Sequence, residues 1–356
     1  MIPKIPDESW PFVERVVMTF LLQQRFLCYT EKNDAWNKGE EKMEVAGIVF
    51  HQVVLMFCLI GIGVFLAKKR MVSMEAARSF SSILLKVISP CLLINAYRQE
   101  RTPERTAGLL LAFVISIAFH VIAIVVSRGF IRKDPEGRHR LERMGAVYSN
   151  CGFMAFPVLQ ALMGSEGVFY ATAFVGVFNV VLWIEGITTL IPDMKLSLKK
   201  CIVNPGCIAV IIGMITYFFQ IPYPSFVGET IEYMANMNTP LSMIITGIFL
   251  AQVAPAAIVK DWRIWRCMVL RTLAAPGIFL LLEAALGVHQ WFPIAEMACI
   301  VTTLCAACPA AASIILLPAA FGSEEDGERG AQIMAFTTLV SVATLPLMTF
   351  LTYRML

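Results

Sequence analysis

Long apolar stretches separated by short polar connections make up most of this chain. From Val45 onward they recur about ten times, each roughly 15–26 residues long, enough for a helix to cross a bilayer with some tilt or an internal break. The pattern predicts an all-helical integral membrane protein. Its predicted spans are 45–67, 76–97, 107–127, 144–163, 167–191, 205–219, 231–254, 262–286, 295–320 and 330–353.

The first 44 residues follow a different pattern. In residues 9–28 apolar side chains such as Phe12 and Phe20 lie near one helical face, which is typical of a helix that lies in the membrane interface. The acidic start of the chain and the lack of a small-residue cleavage site argue against a signal peptide. Residues 30–42 are polar and predict a solvated linker.

Composition and charge distribution agree with a membrane setting. The chain is 58% hydrophobic and only 15% charged, with a mean hydropathy of +0.70, well outside the soluble globular range. The net charge of +3 gives no indication of a nucleic-acid partner, so the lipid bilayer is the expected surroundings. Basic residues cluster instead in the connections 68–78, 128–143, 195–200 and 260–266. By the positive-inside rule these connections are cytoplasmic, which predicts a multi-pass protein of the cytoplasmic (inner) membrane with both termini outside.

Two of the spans contain a proline in an unusual setting. Pro157 and Pro309 lie inside apolar segments of spanning length, in spans four and nine. Proline removes a backbone donor and clashes with the preceding turn, so both helices are predicted to break in the middle of the membrane at these prolines. Lipid cannot satisfy the freed backbone groups, which makes the pair of breaks a candidate transport site.

The same features indicate an internal repeat. Ser89-Pro90 recurs as Thr239-Pro240, and Pro157 recurs as Pro309, each about 150 residues later. Pro90 and Pro240 are interpreted as kinks in scaffold helices. The predicted organisation is an N-terminal interfacial helix and linker (1–44), a five-helix repeat (45–191), a cytoplasmic connector (192–204) and a second five-helix repeat (205–356). An odd number of spans per repeat requires the second repeat to be inverted, so that the broken helices cross near the membrane midplane.

Half-helices that begin after Pro157 and Pro309 would present free N–H groups and positive dipole ends, which favour an anion. Amide side chains can donate to a carboxylate without the cost of burying a cation. The predicted substrate-binding residues are Asn150, Gly152, Pro157, Gln160, Asn179, Pro309 and Ser313. Asn179 is equally compatible with a hydrogen bond between helices. The hydroxyls of Thr337, Thr338 and Ser341 are expected to bond to their own helix backbone.

Few ionisable groups indicate ion coupling. Lys86 is expected to extend to the headgroups. His120 is interpreted as forming a hydrogen bond between helices, and a role as a proton relay is the alternative. Glu283 is expected near a helix end. The cysteines are interpreted as small buried hydrophobes, since no Cys/His cluster has metal-ligand spacing. The sequence predicts neither a metal site nor a cofactor.

Several motifs resemble the auxin efflux carrier family, over about residues 45–353. They are Asn150-Cys-Gly-Phe153, Asn204-Pro205, Thr239-Pro-Leu-Ser-Met-Ile-Ile-Thr-Gly247, Pro309-Ala-Ala-Ala-Ser-Ile-Ile-Leu316, Ala331-Gln332 and Leu345-Pro346. The chain departs from the family in having Cys151 where threonine is usual, in its N-terminal extension and in its short central connector. Without the long loop of the plant carriers, it is identified as similar to bacterial members associated with malate or malonate.

The resemblance implies a PIN-like fold shared with bile-acid symporters. Ten spans would form two inverted repeats, and spans four and nine would cross. An elevator-like movement would take place against a dimeric scaffold of spans one, two, six and seven. It implies secondary transport of small carboxylates by a homodimer.

Other function classes fit the sequence less well. A membrane enzyme is not expected, because the chain has neither a His-Glu-x-x-His cluster nor a phosphate-binding glycine loop. A membrane-embedded carboxylate sensor that kept the fold without transport is the open alternative.

Overall fold

Helices account for nearly all of the chain that can be described. The computed structural model describes residues 40–191, 203–253, 260–321 and 324–356. The predicted interfacial helix and nearly all of the linker after it lie outside these ranges, as does most of the connector 192–204. From Lys42 onward the chain forms one compact unit.

The helices are α1 (Glu40–Lys68), α2 (Met74–Ala96), α3 (Pro103–Phe130), α4 (His139–Val147), α5 (151–163), α6 (165–190), α7 (Pro205–Phe219), α8 (Ser225–Asn236), α9 (Asn238–Leu250), α10 (Trp262–Ala285), α11 (Ala295–Ala307), α12 (Ser313–Phe321) and α13 (Glu324–Met355). Gly164, with φ 64° and ψ −152°, separates α5 from α6. Residues with a side chain rarely adopt this backbone conformation, so glycine is the residue suited to the turn.

In the described ranges, six helical segments are long and apolar enough to cross a membrane. They are Val45–Lys68, Met74–Ala96, Pro103–Phe130, Cys151–Leu190, Trp262–Ala285 and Asp326–Met355, with Pro205–Phe219 and Ala295–Ala307 as shorter apolar helices. Within the described ranges no strand forms, and the only β-type pairing is an isolated bridge between Ser149 and Ala310. The chain is therefore an all-helical integral membrane protein, as predicted.

Three prolines are accommodated in a way that the sequence did not suggest. Each follows, after one residue, a five-residue π-helical turn in which hydrogen bonds reach one residue further back than in an α-helix; in the first, the Ser89 amide donates to Leu84 O. The wider turn gives the proline ring room and replaces the bond that proline cannot make. The turns are Leu84–Ile88 before Pro90, Cys151–Ala155 before Pro157 and Leu270–Ala274 before Pro276.

The prediction that Pro157 breaks span four is therefore wrong. The helix is continuous through Pro157, and the chain leaves helical geometry earlier, at residues 148–150 between α4 and α5. In span nine the chain does leave the helix at Cys308, directly before Pro309, as predicted. The difference arises because the π turn absorbs Pro157, whereas no such turn precedes Pro309.

Helices α1 and α9 approach each other closely. A Cβ atom built on Gly63 would lie 2.1 Å from Ile244 O, and one on Gly247 would lie 2.1 Å from Ile60 O. Two glycines that face each other let the backbones come into contact, which is the way that membrane helices pack most tightly. Helices α1 and α9 are thus packed backbone to backbone.

A buried ion-pair network fixes the start of α4. Glu142, 1% exposed, accepts hydrogen bonds from Arg266 of α10 at 2.5 Å and from Arg329 of α13 at 2.7 Å. Arg329 also donates to Asp261 at 3.0 Å. Burial alone would raise the pKa of Asp261, but the Arg263 amide and the Arg329 guanidinium outweigh it and lower the pKa. The network ties α4, α10 and α13 together.

Candidate functional site

The two interrupted helices meet and pair through their backbones. Between α4 and α5, and between α11 and α12, the chain is extended, and the two segments run antiparallel with Ser149 opposite Ala310. The Asn150 amide donates to Pro309 O at 2.7 Å, and the Ala311 amide donates to Tyr148 O at 3.0 Å. We call this paired region, residues 148–150 and 309–311, the crossing. Each broken helix satisfies backbone groups that the other leaves free.

Two helix N-termini begin at the crossing. Helix α5 starts directly after Asn150, and α12 starts at Ser313. The first amides of a helix have no intrahelical acceptor, and they carry the positive end of the dipole. A Cβ atom built on Gly152 would meet nothing within 4 Å, so the backbone of the first turn of α5 lies open. The arrangement suits an anionic ligand.

Polar side chains at the crossing lack partners. The Asn150 side chain is 3% exposed, it does not cap its own helix, and its Nδ2 has no hydrogen-bond partner. Ser313 Oγ, at the start of α12, is also buried and unpartnered, and Thr338 Oγ1 lacks the bond to its own helix that was expected. A buried donor without an acceptor costs about 1–3 kcal/mol, so these groups are suited to bind a ligand that supplies one.

Arg271 of α10 connects the ends of the two incoming helices. It is fully buried, and its Nη1 donates to Val147 O at 2.6 Å and to Ala146 O at 3.2 Å, at the end of α4. Its Nη2 donates to Ala306 O, at the end of α11. Carbonyls at a helix C-terminus are free acceptors at the negative dipole end, and the planar guanidinium spans both ends at once.

The sequence interpretation missed Arg271. The available signal was an arginine nine residues into the apolar stretch 262–286, since an ionisable residue inside a span is a functional candidate by default. Its partners could not be identified from the sequence, because they lie 124 and 35 residues away along the chain.

Two further side chains hold the crossing in place. Thr337 of α13 accepts a hydrogen bond from the Ala310 amide at 3.1 Å, while its hydroxyl donates to Ile333 O of its own helix. Asn238 of α9, 1% exposed, donates to Gly152 O at 3.1 Å and accepts from Ser89 of α2 at 3.1 Å. Thr337 thus forms the expected hydrogen bond to its own helix and also helps to hold the crossing in place.

The structure brings four of the predicted residues together and separates three from them. Asn150, Gly152, Pro309 and Ser313 lie in or beside the crossing. Pro157, Gln160 and Asn179 do not belong to the paired segments or to the first turns of α5 and α12 that adjoin them.

Gln160, predicted to bind the substrate, is exposed, whereas Asn150 is buried. The π turn at the start of α5 rotates the residues that follow it. Asn179 donates to Val175 O at 2.8 Å and packs against Gly206, whose Cβ would lie 2.8 Å from Asn179 Nδ2. Its hydrogen bond therefore stays within α6 and is not the bond between helices that the sequence left open, although its side chain packs against the start of α7.

The ionisable candidates occupy unexpected surroundings. Glu283, expected near a helix end, is only 3% exposed although it lies close to the end of α10. His120 is buried, and its Nδ1 lies 2.7 Å from Ser116 O of its own helix. Lys86 is exposed. In the part of the chain that the structure describes, no group of three or more His, Cys, Asp or Glu residues could hold a metal ion.

Comparison with known proteins agrees with this architecture. A protein family described as membrane transport protein matches residues 48–195 and 191–349, which together make up well over half of the chain. The chain belongs to the membrane transport protein family. The match supports the resemblance to the auxin efflux carriers. Comparison with curated proteins finds no match.

Proposed function

We propose that this membrane transport protein is a secondary transporter of small organic anions, either mono- or dicarboxylates, with its substrate site at the crossing. The observation that carries the proposal is the buried and unpartnered Nδ2 of Asn150 between two helix N-termini. A carboxylate oxygen would accept this donor together with the first amides of α5.

The charge at the crossing supports an anion as the ligand. Arg271 is fully buried, and its partners are backbone carbonyls; among the described residues no carboxylate pairs with it. A buried cation without a counter-charge is costly, and a bound carboxylate would offset that cost. A neutral or cationic substrate would not.

An elevator-type movement is supported by the contacts between the predicted scaffold and the crossing. Helices α1 and α9 pack backbone to backbone at Gly63 and Gly247 and would stay together as part of the scaffold. Asn238 reaches from the scaffold to Gly152 with a single hydrogen bond, which a sliding movement of the crossing could exchange at modest cost.

The proposed carrier has ten spans in two inverted repeats, lies in the inner membrane and forms a homodimer through its scaffold. We expect the purified protein in mild detergent to have twice the mass of one chain, measured by native mass spectrometry or light scattering. A monomer at every protein concentration would count against the dimer.

Flux and binding measured on the same protein test the function. Proteoliposomes that contain the protein should take up at least one of a panel of labelled mono- and dicarboxylates faster than empty liposomes do. Binding of a carboxylate without flux would instead favour the sensor. If no carboxylate is either bound or carried, the proposed substrate class is wrong.

A further inference from the structure

Glu283 is a buried carboxyl group that the proposed anion site does not use. It lies in α10, two residues before the helix ends, and is 3% exposed. Thr303 of α11 donates to its Oε2 at 2.6 Å. Its other oxygen, Oε1, is buried as well and receives no N–H or O–H hydrogen bond.

No basic side chain of the described ranges pairs with this carboxyl group. The helices packed against this half of α10 are α3, α11 and α13, together with the short turn Val288–Gln290. Of the titratable groups on them, the Cys299 thiol contacts Glu283. None of the others forms an ion pair with it: Arg105 and His120 of α3, His289 of the turn, Glu296 of α11 and Arg354 of α13.

Several of these groups are engaged elsewhere. Arg105 pairs with Glu166 at 3.1 Å, and His120 Nδ1 contacts Ser116 O. An ionised carboxylate buried without a cation, with a single hydroxyl donor, is strongly unfavourable. These surroundings favour the protonated carboxyl group, because it is neutral and its Oε2 still accepts the hydrogen bond from Thr303.

Glu283 is also connected to the broken helix that forms half of the crossing. Thr303 precedes the end of α11 at Ala307 by four residues, or about 6 Å along the helix axis. Arg271 donates a hydrogen bond to the carbonyl oxygen of Ala306, the residue before Ala307. Movement of α11 relative to α10 would therefore change the hydrogen bonding of Glu283.

We propose that Glu283 is a proton-binding site that couples carboxylate transport to proton movement. In the closed arrangement the carboxyl group holds the proton. When the outer end of the α10–α11 pair opens to water, the O–H bond breaks, the proton passes to water and the carboxylate becomes hydrated. When the site opens to the opposite side, the carboxylate takes up a proton from the water there, so that one proton crosses the membrane in each cycle. This inference rests on the proposed function for the transported anion.

Protonation can be measured without transport. In infrared difference spectra of the purified protein, recorded while the pH is raised, the carbonyl stretch of a protonated carboxylic acid should disappear as Glu283 ionises. The signal should be absent from Glu283→Gln and present in Glu296→Gln, in which an exposed glutamate of α11 is replaced. Identical acid-carbonyl spectra for the parent protein and Glu283→Gln at every pH would overturn the proposal.

Coupling is measured separately from anion movement. In proteoliposomes, Glu283→Gln should exchange labelled for unlabelled carboxylate but lose both the accumulation driven by a pH gradient and the proton flux that substrate triggers. Glu283→Asp, which keeps a carboxyl group, should retain part of the coupling. Accumulation by Glu283→Gln equal to that of the parent would exclude the proton site and leave the transport function standing. Absence of carboxylate exchange in the parent would reject the transport function, while the infrared result would still decide the proton site.

Discussion

Asn150 is placed to act through two different groups. Its backbone amide pairs the two segments of the crossing by donating to Pro309 O at 2.7 Å, while its side-chain Nδ2 is left without a partner. Replacing the side chain would therefore remove the proposed ligand contact without removing the backbone pairing. This separation makes Asn150 the most informative single position for testing the site.

Asn150→Ala should weaken carboxylate binding by about ten- to a hundredfold, because a hydrogen bond to a charged group contributes about 1.5–3 kcal/mol. Isothermal titration with the best transported carboxylate measures the change. Asn95→Ala is the matched control, since Asn95 bonds to exposed Arg98 at the end of α2 and should bind like the parent. Unchanged affinity in Asn150→Ala would place the ligand elsewhere.

Arg271 should contribute mainly to the integrity of the crossing. Arg271→Met leaves three buried helix-end carbonyls without a donor, at about 1–3 kcal/mol each, and should lower the thermal unfolding midpoint substantially. Arg271→Lys keeps the charge but has no planar fork to span both helix ends, so an intermediate loss is expected. Scanning fluorimetry in detergent measures both. Arg78→Ala, at an exposed arginine of α2, should unfold like the parent; equal midpoints for all four proteins would contradict the bridging role.

At the scale of the helices, proline has two different effects in this chain. A π turn ahead of Pro90, Pro157 or Pro276 lets the helix continue. Pro309, two residues after the end of α11, lies in extended backbone and takes part in the crossing instead. The local arrangement of the turn ahead of a proline thus decides whether a span bends or opens.

The two prolines should therefore respond differently to substitution. Pro157→Ala should change transport little, because the helix is already continuous there. Pro309→Ala supplies an amide that can extend α11 and withdraw Pro309 O from the Asn150 amide, a bond worth about 0.5–1.5 kcal/mol, so transport should fall by about two- to tenfold. Initial uptake rates in proteoliposomes, normalised to reconstituted protein, compare them. Equal losses in both variants would mean that Pro157 also keeps the site open.

At the scale of the whole molecule, the orientation in the membrane can be tested at exposed positions. With both termini outside, Lys133 should face the cytoplasm and Glu296 the exterior. In cells, Glu296→Cys should react with an impermeant thiol reagent, whereas Lys133→Cys should react only after permeabilisation. The parent protein, with its own cysteines, gives the background. The reverse labelling pattern would invert the topology.

The all-helical membrane class was determined by the sequence itself. A helix in lipid must be long and apolar, and its backbone groups must form hydrogen bonds within the helix. Length and apolar composition are local properties, so the sequence shows them directly. Asn150, Gly152, Pro309 and Ser313 could be selected for a related reason. They lie in apolar runs that contain a proline, and an interrupted helix is tolerated in a membrane only where it is buried in protein or lines a cavity.

Tertiary structure decided what these residues contact. The position of the break in span four depends on a π turn that no residue pattern predicted, and this turn lets the helix continue through Pro157. The roles of Arg271, Asn238 and Glu283 depend on partners in other helices: helix-end carbonyls for Arg271, Gly152 and Ser89 for Asn238, and Thr303 for Glu283. Periodicity places a residue on its own helix, whereas the partner of a buried polar group is set by which helices pack together.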